Sequence, residues 1–260
     1  YICSSATIAN PVELAERLTG RAMQLVDQDG SPRGEKKFVL WNPPCIDLGL
    51  AERRSPLTEA HRLLVKLIRD KVQSIAFTRT RLGAEVVARY CQESLRRYGP
   101  ALANAVRAYR SGYLPVERRA IERRLAEGDL LAVVSTNALE LGIDIGGMDA
   151  GILVGYPGSI ASTWQQAGRA GRGREDSIVF LIAQNSPIDQ FLMKHHGYLF
   201  QRNPENAIID PDNPHLVLGH LRCALRELPL ESAEWSLFGP FTEALLQLLQ
   251  ESGRARQANG

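Results

Sequence analysis

The strongest constraint on this chain is a recurring unit, a short apolar run closed by small polar residues and followed by a segment with apolar side chains at helical spacing. Ser74 to Phe77, Leu131 to Val134, Gly151 to Val154 and Ile178 to Ala183 are such runs, of strand length and bounded by turn residues. Between them, Leu82 to Arg97 turns Val86, Val87, Tyr90 and Leu95 toward a sheet, and a helix begun by Pro115 buries Ile121 and Leu125 and stops at Gly128. Lys37 to Trp41 and Ala105 to Tyr109 add strands, Thr58 to Arg69 adds a helix, and Asn42 to Pro56 reads as a long loop. Strand, helix and strand in alternation imply parallel pairing with crossover helices, hence an α/β sheet of about six or seven strands with helices on its faces.

The flanks differ from this pattern. Tyr1 to Ser4 and Ala22 to Val26 read as strands on either side of a helix capped by Asn10, begun by Pro11 and ended by Gly20. The turn-rich Asp29 to Gly34 is the best boundary in the chain, so residues 1–29 read as the last piece of a preceding domain, and the opening at Tyr1 inside a strand suggests an excised fragment. Residues 30–56 are then a linker and first strand, 57–195 the main domain, and 196–260 a linker and a small, mostly helical appendage. Asn203 to Pro214 cannot be helical throughout. His215 to Leu228 and Phe241 to Leu249 are amphipathic, and Trp235, Phe238 and Phe241 are expected to form the appendage core rather than a base-stacking platform.

Composition excludes some classes. No apolar run approaches membrane-spanning length and no charged-then-apolar leader opens the chain, so no membrane partner is expected. Cys3, Cys45, Cys91 and Cys223 are scattered without a C-x-x-C pair, which fits a reducing, cytoplasmic setting. His220 and Cys223 share a helical face and His195 adjoins His196, but no third and fourth ligand is evident, so no metal site is assigned. The net charge of +2 says little, whereas Arg79 to Arg124 holds eleven arginines and four glutamates with no lysine or aspartate, 11 − 4 = +7. That is the footprint of a nucleic-acid face for part of the window; a surface merely solvated by arginine fits the same count.

Two stretches carry chemistry. In Trp164 to Gly173, WQQAGRAGRG, Arg169 and Arg172 lie three apart among Gly168, Gly171 and Gly173. On one helical edge they would clamp a polyphosphate bidentately, with the glycines letting backbone come close. An apolar strand follows at once, which a flexible glycine-arginine tail would lack. Upstream, Leu130 to Ile145, LLAVVSTNALELGIDI, is a strand delivering Ser135, Thr136 and Asn137 to its carboxyl edge, where open α/β sheets bind ligands.

Together these two stretches resemble motifs V and VI of superfamily 2 helicases, Ser5-Ala6-Thr7 resembles motif III, IAFTRTR at Ile75 to Arg81 resembles motif IV, and Tyr109 to Glu117 falls at the motif IVa loop. Asp189 to Leu230 is similar to the bacterial MrfA/YprA-type DEAD/DEAH-box DNA helicases. The resemblance implies a RecA-like second domain with the start of a winged-helix-like region behind it, in the carboxyl-terminal part of an ATP-dependent helicase acting on DNA, in repair, with RNA as the alternative substrate. It implies that Arg169 and Arg172 act as arginine fingers, that Gln165 touches phosphate or couples to the first domain, and that Gly142 and Asp144 lie against the ribose of ATP. Arg79, Thr80, Ser111, Gly112 and Thr136 would contact one strand's sugar–phosphate backbone, and Ser5 and Thr7 would couple ATP state to domain closure. By their chemistry alone, Thr80 fits equally a helix cap, Ser111-Gly112 a plain turn, and Ser5 and Thr7 local hydrogen bonding. No Gly-Lys dipeptide and no strand-ending Asp-Glu pair occurs, so the phosphates and Mg2+ would be held mainly by a first RecA-like domain, and this chain alone is not expected to hydrolyse ATP. A non-catalytic RecA-like module that binds nucleic acid or protein is the competing reading.

Overall fold

The computed structural model describes residues 1–32, 34–47, 49, 52–141, 147–171 and 175–256. In chain order the elements are α1 (Pro11–Thr19), β1 (Lys36–Trp41), β2 (Cys45–Asp47), β3 (Glu52–Arg53), α2 (Pro56–Arg69), β4 (Ser74–Phe77), α3 (Arg81–Leu95), α4 (Pro100–Asn104), β5 (Val106–Tyr109), α5 (Pro115–Ala126), β6 (Ala132–Ser135), β7 (Ala150–Val154), α6 (Ile160–Ala167), β8 (Ser177–Ile182), α7 (Pro187–Lys194), α8 (Gly197–Phe200), α9 (Pro214–Glu227) and α10 (Thr242–Glu251). They fall into two compact units, one of residues 6–9 and 27–205, the other of residues 1–5, 10–26 and 206–260.

In the larger unit six strands form one sheet in the order β1-β8-β7-β4-β6-β5, every pairing parallel. Side chains alternate across it as the pleat requires. On β6, Ala132 and Val134 face α2, α3 and α4, while Val133 faces the layer of α5, α6, α7 and α8; on β7, Ile152 and Leu153 split the same way. Burial on both faces is why these strands read as continuous apolar runs. Helix α3 meets the sheet with Ala84, Val87, Ala88, Cys91 and Leu95 rather than with Tyr90, which is 52% exposed. The run around Tyr90 offers two apolar stripes, and the smaller alanine stripe lets the helix come closer to the sheet. The loop expected at Asn42 to Pro56 contains a short antiparallel pair, β2 with β3.

In the smaller unit, α9 and α10 bury Val217, Leu221, Leu245, Leu246 and Leu249, with Trp235 and Phe238 packed against them. Phe241, expected in that core, is 49% exposed, because it sits at the N-cap of α10 and precedes the buried stripe. Neither Tyr1 to Ser4 nor Ala22 to Val26 forms a strand; short apolar runs acquire strand geometry only where a partner offers ladder bonds. Asn10 stands at the N-cap of α1 without capping it. Its amide instead pairs with Ala207, donating to the carbonyl at 3.1 Å and accepting from the N–H at 2.8 Å. Gly20 closes the helix in the left-handed region, at φ 66°.

Candidate functional site

Strands β4, β6 and β7 end side by side, and the loops that leave them diverge. The divergence opens a cavity of about 240 Å³ walled by Phe77, Thr78 and Arg79 at the end of β4 and beyond it, Asn137 and Glu140 after β6, Val154, Gly155 and Pro157 at the end of β7 and beyond it, and Ser162 and Gln166 on α6. Gly155 is required in this wall: its φ is +85°, and a Cβ there would lie 2.6 Å from Gln184 Nε2. The wall behind it is fixed by buried Asp189, whose carboxylate accepts from the backbone N–H groups of Tyr156 and Gln184 and from the Ser186 hydroxyl. Burial, with Glu205 and Tyr198 nearby, pushes the Tyr156 hydroxyl up to about 12, so it stays protonated at neutral pH.

Glu140 is the hub of the cleft. One carboxylate oxygen accepts from Ser162 Oγ and from Gln166 Nε2, each at 2.9 Å. Its backbone carbonyl accepts from Arg169 Nε at 3.0 Å and Nη2 at 2.6 Å. Ser162 and Gln166 are one turn apart on α6, so one carboxylate reads both. The helix is held at each end. Ser159 Oγ accepts from the Ser162 N–H, and the Glu205 carboxylate accepts from the Ile160 and Ala161 N–H groups at 2.7 and 2.9 Å. Partial burial alone would raise the Glu205 carboxyl, but the Ala161 and Ile160 bonds outweigh it and hold the group below the usual glutamate range. At the other end Lys36 Nζ donates to the Ala167 carbonyl at 2.9 Å, a cation on the negative end of the helix.

The sequence-derived candidates divide into two sets. Arg79 is exposed and lines the cleft; Thr80, also exposed, accepts from the Gly83 N–H at 3.0 Å and caps α3. Ser111 and Gly112 are exposed in the loop after β5, and Thr136 follows β6 at 8% exposure. Because β4, β6 and β5 are adjacent and parallel, all five lie along one carboxyl edge. Beside them Arg110 Nε and the Tyr113 hydroxyl both donate to Glu85 Oε1, and burial first, then that carboxylate, push the Tyr113 hydroxyl up to about 12.

Arg169 belongs to the other set. The helical edge expected to carry it stops short, since α6 ends at Ala167. Gly168 caps it, Met148 N–H donates to the Arg169 carbonyl and Gly171 N–H to the Met148 carbonyl, and Gly171 has φ +109°. A glycine-rich chain leaves the helix there to bridge to β7, which propagation of the helix would forbid. Arg169 is half-buried, as is Gln165, whereas Gln166 is 6% exposed and turned to Glu140. Gly142, Asp144 and Arg172 lie outside the described residues. Ser5 is exposed and Thr7 half-buried, in a segment without strand structure. Glu140, Ser162 and Gln166, which line the cleft, and Asp189, which braces its wall, were not anticipated from the sequence; the available signal was a glutamine in register with the buried stripe of Thr163 and Ala167. Among the described residues no three His, Cys, Asp or Glu side chains converge as metal ligands, and no helix is long and apolar enough to cross a membrane.

The helicase conserved C-terminal domain family matches residues 59–174, a stretch that runs from within α2 past Arg169 and Arg172. With the six-stranded parallel sheet, this makes the larger unit a RecA-like domain of the superfamily 2 helicase C-terminal kind. Within that class the chain is similar to the MrfA- and YprA-type helicases. It is 48% identical over 252 residues to the ATP-dependent helicase YprA of Bacillus subtilis, covering 96% of this chain and 33% of YprA. It is 36% identical over 263 residues to the ATP-dependent helicase hrq1 of Schizosaccharomyces pombe, covering 98% of this chain and 25% of that protein. A crystal structure of the DUF1998 helicase MrfA bound to DNA and AMPPNP superposes with a TM-score of 0.89 at 46% identity, over 99% of this chain and 35% of that one. The chain thus spans a quarter to about a third of the length of these relatives.

Proposed function

We propose that this chain is the second half of an ATP-driven motor that tracks along one strand of DNA and unwinds it, in DNA repair. The observation that carries the reading is the mooring of Arg169: its guanidinium is oriented by two N–H bonds to the Glu140 carbonyl, and Glu140 is itself tied to α6 through Ser162 and Gln166. A pure binding module has no use for an arginine oriented so deliberately, and MrfA, similar over nearly the whole chain, has been solved with both DNA and AMPPNP.

Of the cleft-lining groups the Arg79 guanidinium suits a phosphate, beside a carboxylate already engaged by two donors; the half-buried Arg169 and Gln165, outside that lining, are the further donors of this reading. ATP supplies the phosphoanhydride whose hydrolysis drives domain movement. Arg169 and Arg172 neutralise charge that develops at the terminal phosphate, and Gln165 couples that end of α6 to the first domain. Gly142 and Asp144 lie against the ribose, while Mg2+ is held mainly by the first RecA-like domain, with Ser5 and Thr7 coupling the two domains. Arg79, Thr80, Ser111, Gly112 and Thr136 hold phosphates of the tracked strand without reading bases.

The test is Arg172→Ala in the whole protein. DNA-stimulated ATP hydrolysis is expected to fall by about 10³-fold or more, as for other arginine fingers, with single-strand affinity within a few-fold of the parent. Unchanged hydrolysis would establish the passive-module reading instead.

A further inference from the structure

The smaller unit carries a groove that the motor residues leave unexplained. On α9, Val217, Leu218, Leu221 and Leu225 pack inward, which turns Gly219, Arg222, Cys223 and Arg226, at i, i+3, i+4 and i+7, away from that core. With Glu227 and with Arg254 just beyond α10, they line an open groove of about 870 Å³. Its lining holds no aromatic or large apolar side chain, and its formal charge is 3 − 1 = +2. Among the described residues, none of the three arginines is ion-paired.

Two details point to a ligand. A glycine inside a helix costs about 1 kcal/mol relative to alanine, yet a Cβ at Gly219 would meet nothing within 4 Å, so packing within the protein does not demand it. What the glycine does is bare the helix backbone along the groove floor. Arg222 and Arg226 are one turn apart, a rise of ~6 Å, which is the axial reach of roughly two phosphates on one strand. Complementing the helix dipole accounts for Arg226, in the last turn, but for neither Arg222 nor Arg254.

We infer that this groove is a second nucleic-acid contact, with Arg222, Arg226 and Arg254 forking onto phosphates of a single strand while its backbone lies over Gly219. Protein interfaces place an apolar or aromatic core at their centre, which this groove lacks, whereas a polyanion is met by charge throughout. The inference rests on the nucleic-acid reading proposed above and adds a site that reading does not contain.

Cys223 lies in the groove and is exposed, so its alkylation reports occupancy directly. The whole protein is treated with N-ethylmaleimide, with and without saturating oligothymidylate, and modification is read peptide by peptide. Cys91, buried and with its thiol pushed up to about 12 by that burial, stays unmodified where the fold is intact. DNA is expected to slow alkylation of Cys223 severalfold, and the doubly substituted Arg222→Gln, Arg226→Gln protein to lose that protection. The same substitutions should lower the slope of log affinity against log salt by about 1.4, two contacts at about 0.7 each. Binding of oligothymidylate, seen by fluorescence anisotropy, with Cys223 alkylated at its free rate would overturn this site and leave the motor reading standing. Absence of any binding would overturn both. Protection by polyglutamate but not by DNA would assign the groove to an acidic polypeptide and likewise reject the inference.

Discussion

Glu140 holds Ser162 and Gln166 with its carboxylate and Arg169 with its backbone carbonyl, and the two sets of bonds respond differently to substitution. Glu140→Ala removes the carboxylate that accepts from Ser162 and Gln166, leaving the buried Gln166 amide with the Ser162 hydroxyl at 3.3 Å. An under-satisfied buried donor costs about 1–3 kcal/mol, and each kcal/mol lowers Tm by about 2–4 °C in a domain of this size. Thermal denaturation followed by circular dichroism should show that loss for Glu140→Ala and a smaller one for Glu140→Gln, which keeps an acceptor. The carbonyl that orients Arg169 survives both changes, so under the proposed reading ATP hydrolysis by the whole protein should suffer less than in Arg169→Ala. A Glu140→Ala protein as inactive as Arg169→Ala would show that the carboxylate itself orients the arginine.

At the scale of elements, α6 is eight residues long, too short to be stable by propensity alone. Ser159 and Glu205 at its start and Lys36 at its end supply what length does not. The Glu205 contribution depends on pH. Because the folded carboxyl titrates below the unfolded one, its stabilisation is complete above the ordinary glutamate range and is lost as pH falls through the lowered value. Glu205→Gln should therefore lower Tm by a few degrees at neutral pH, on the scale of the ~0.5–2 kcal/mol that a lost cap costs. The difference from the parent should shrink in acid, below the ordinary glutamate range. A difference that stays constant from neutral pH down into acid would mean that Glu205 acts through packing rather than charge.

For the molecule as a whole, the excess of arginine between Arg79 and Arg124 has a measurable consequence. Part of it is consumed internally: Arg89 pairs with Glu93, and Arg110 with Glu85. Arg79, exposed at the cleft mouth, remains positioned to meet a phosphate. If the carboxyl edge of the sheet grips a strand, single-strand affinity should fall steeply with salt and Arg79→Ala should reduce the log–log slope by about 0.7. Fluorescence anisotropy titrations at four or five salt concentrations measure it, and a parent affinity indifferent to salt would exclude a phosphate-held strand on that edge.

Much of the architecture was legible because β4, β6, β7 and β8 are buried on both faces, and two-sided burial writes an unbroken apolar run into a sequence. The stripe of α3 was misplaced at Tyr90, since periodicity marks an apolar stripe without saying which of two the sheet will take. The end strands were overread, because the ladder bonds a short apolar run needs come from elsewhere in the chain. The candidate site could be proposed from motifs, but its geometry could not. Arg169 could be named from its spacing with Arg172, but that it leaves the helix, pairs with Met148 and hangs from the Glu140 carbonyl depends on residues 21 to 29 positions apart in the chain. Asp189 shows the same limit, as its carboxylate ties the loops after β7 and β8 across 33 positions. The sequence by itself determined the alternation of strands and helices, the parallel sheet and the residue types at its carboxyl edge, because burial and spacing are local properties. Only the tertiary structure decided which polar groups meet, since a hydrogen bond is fixed by distance in space and leaves no period in the chain.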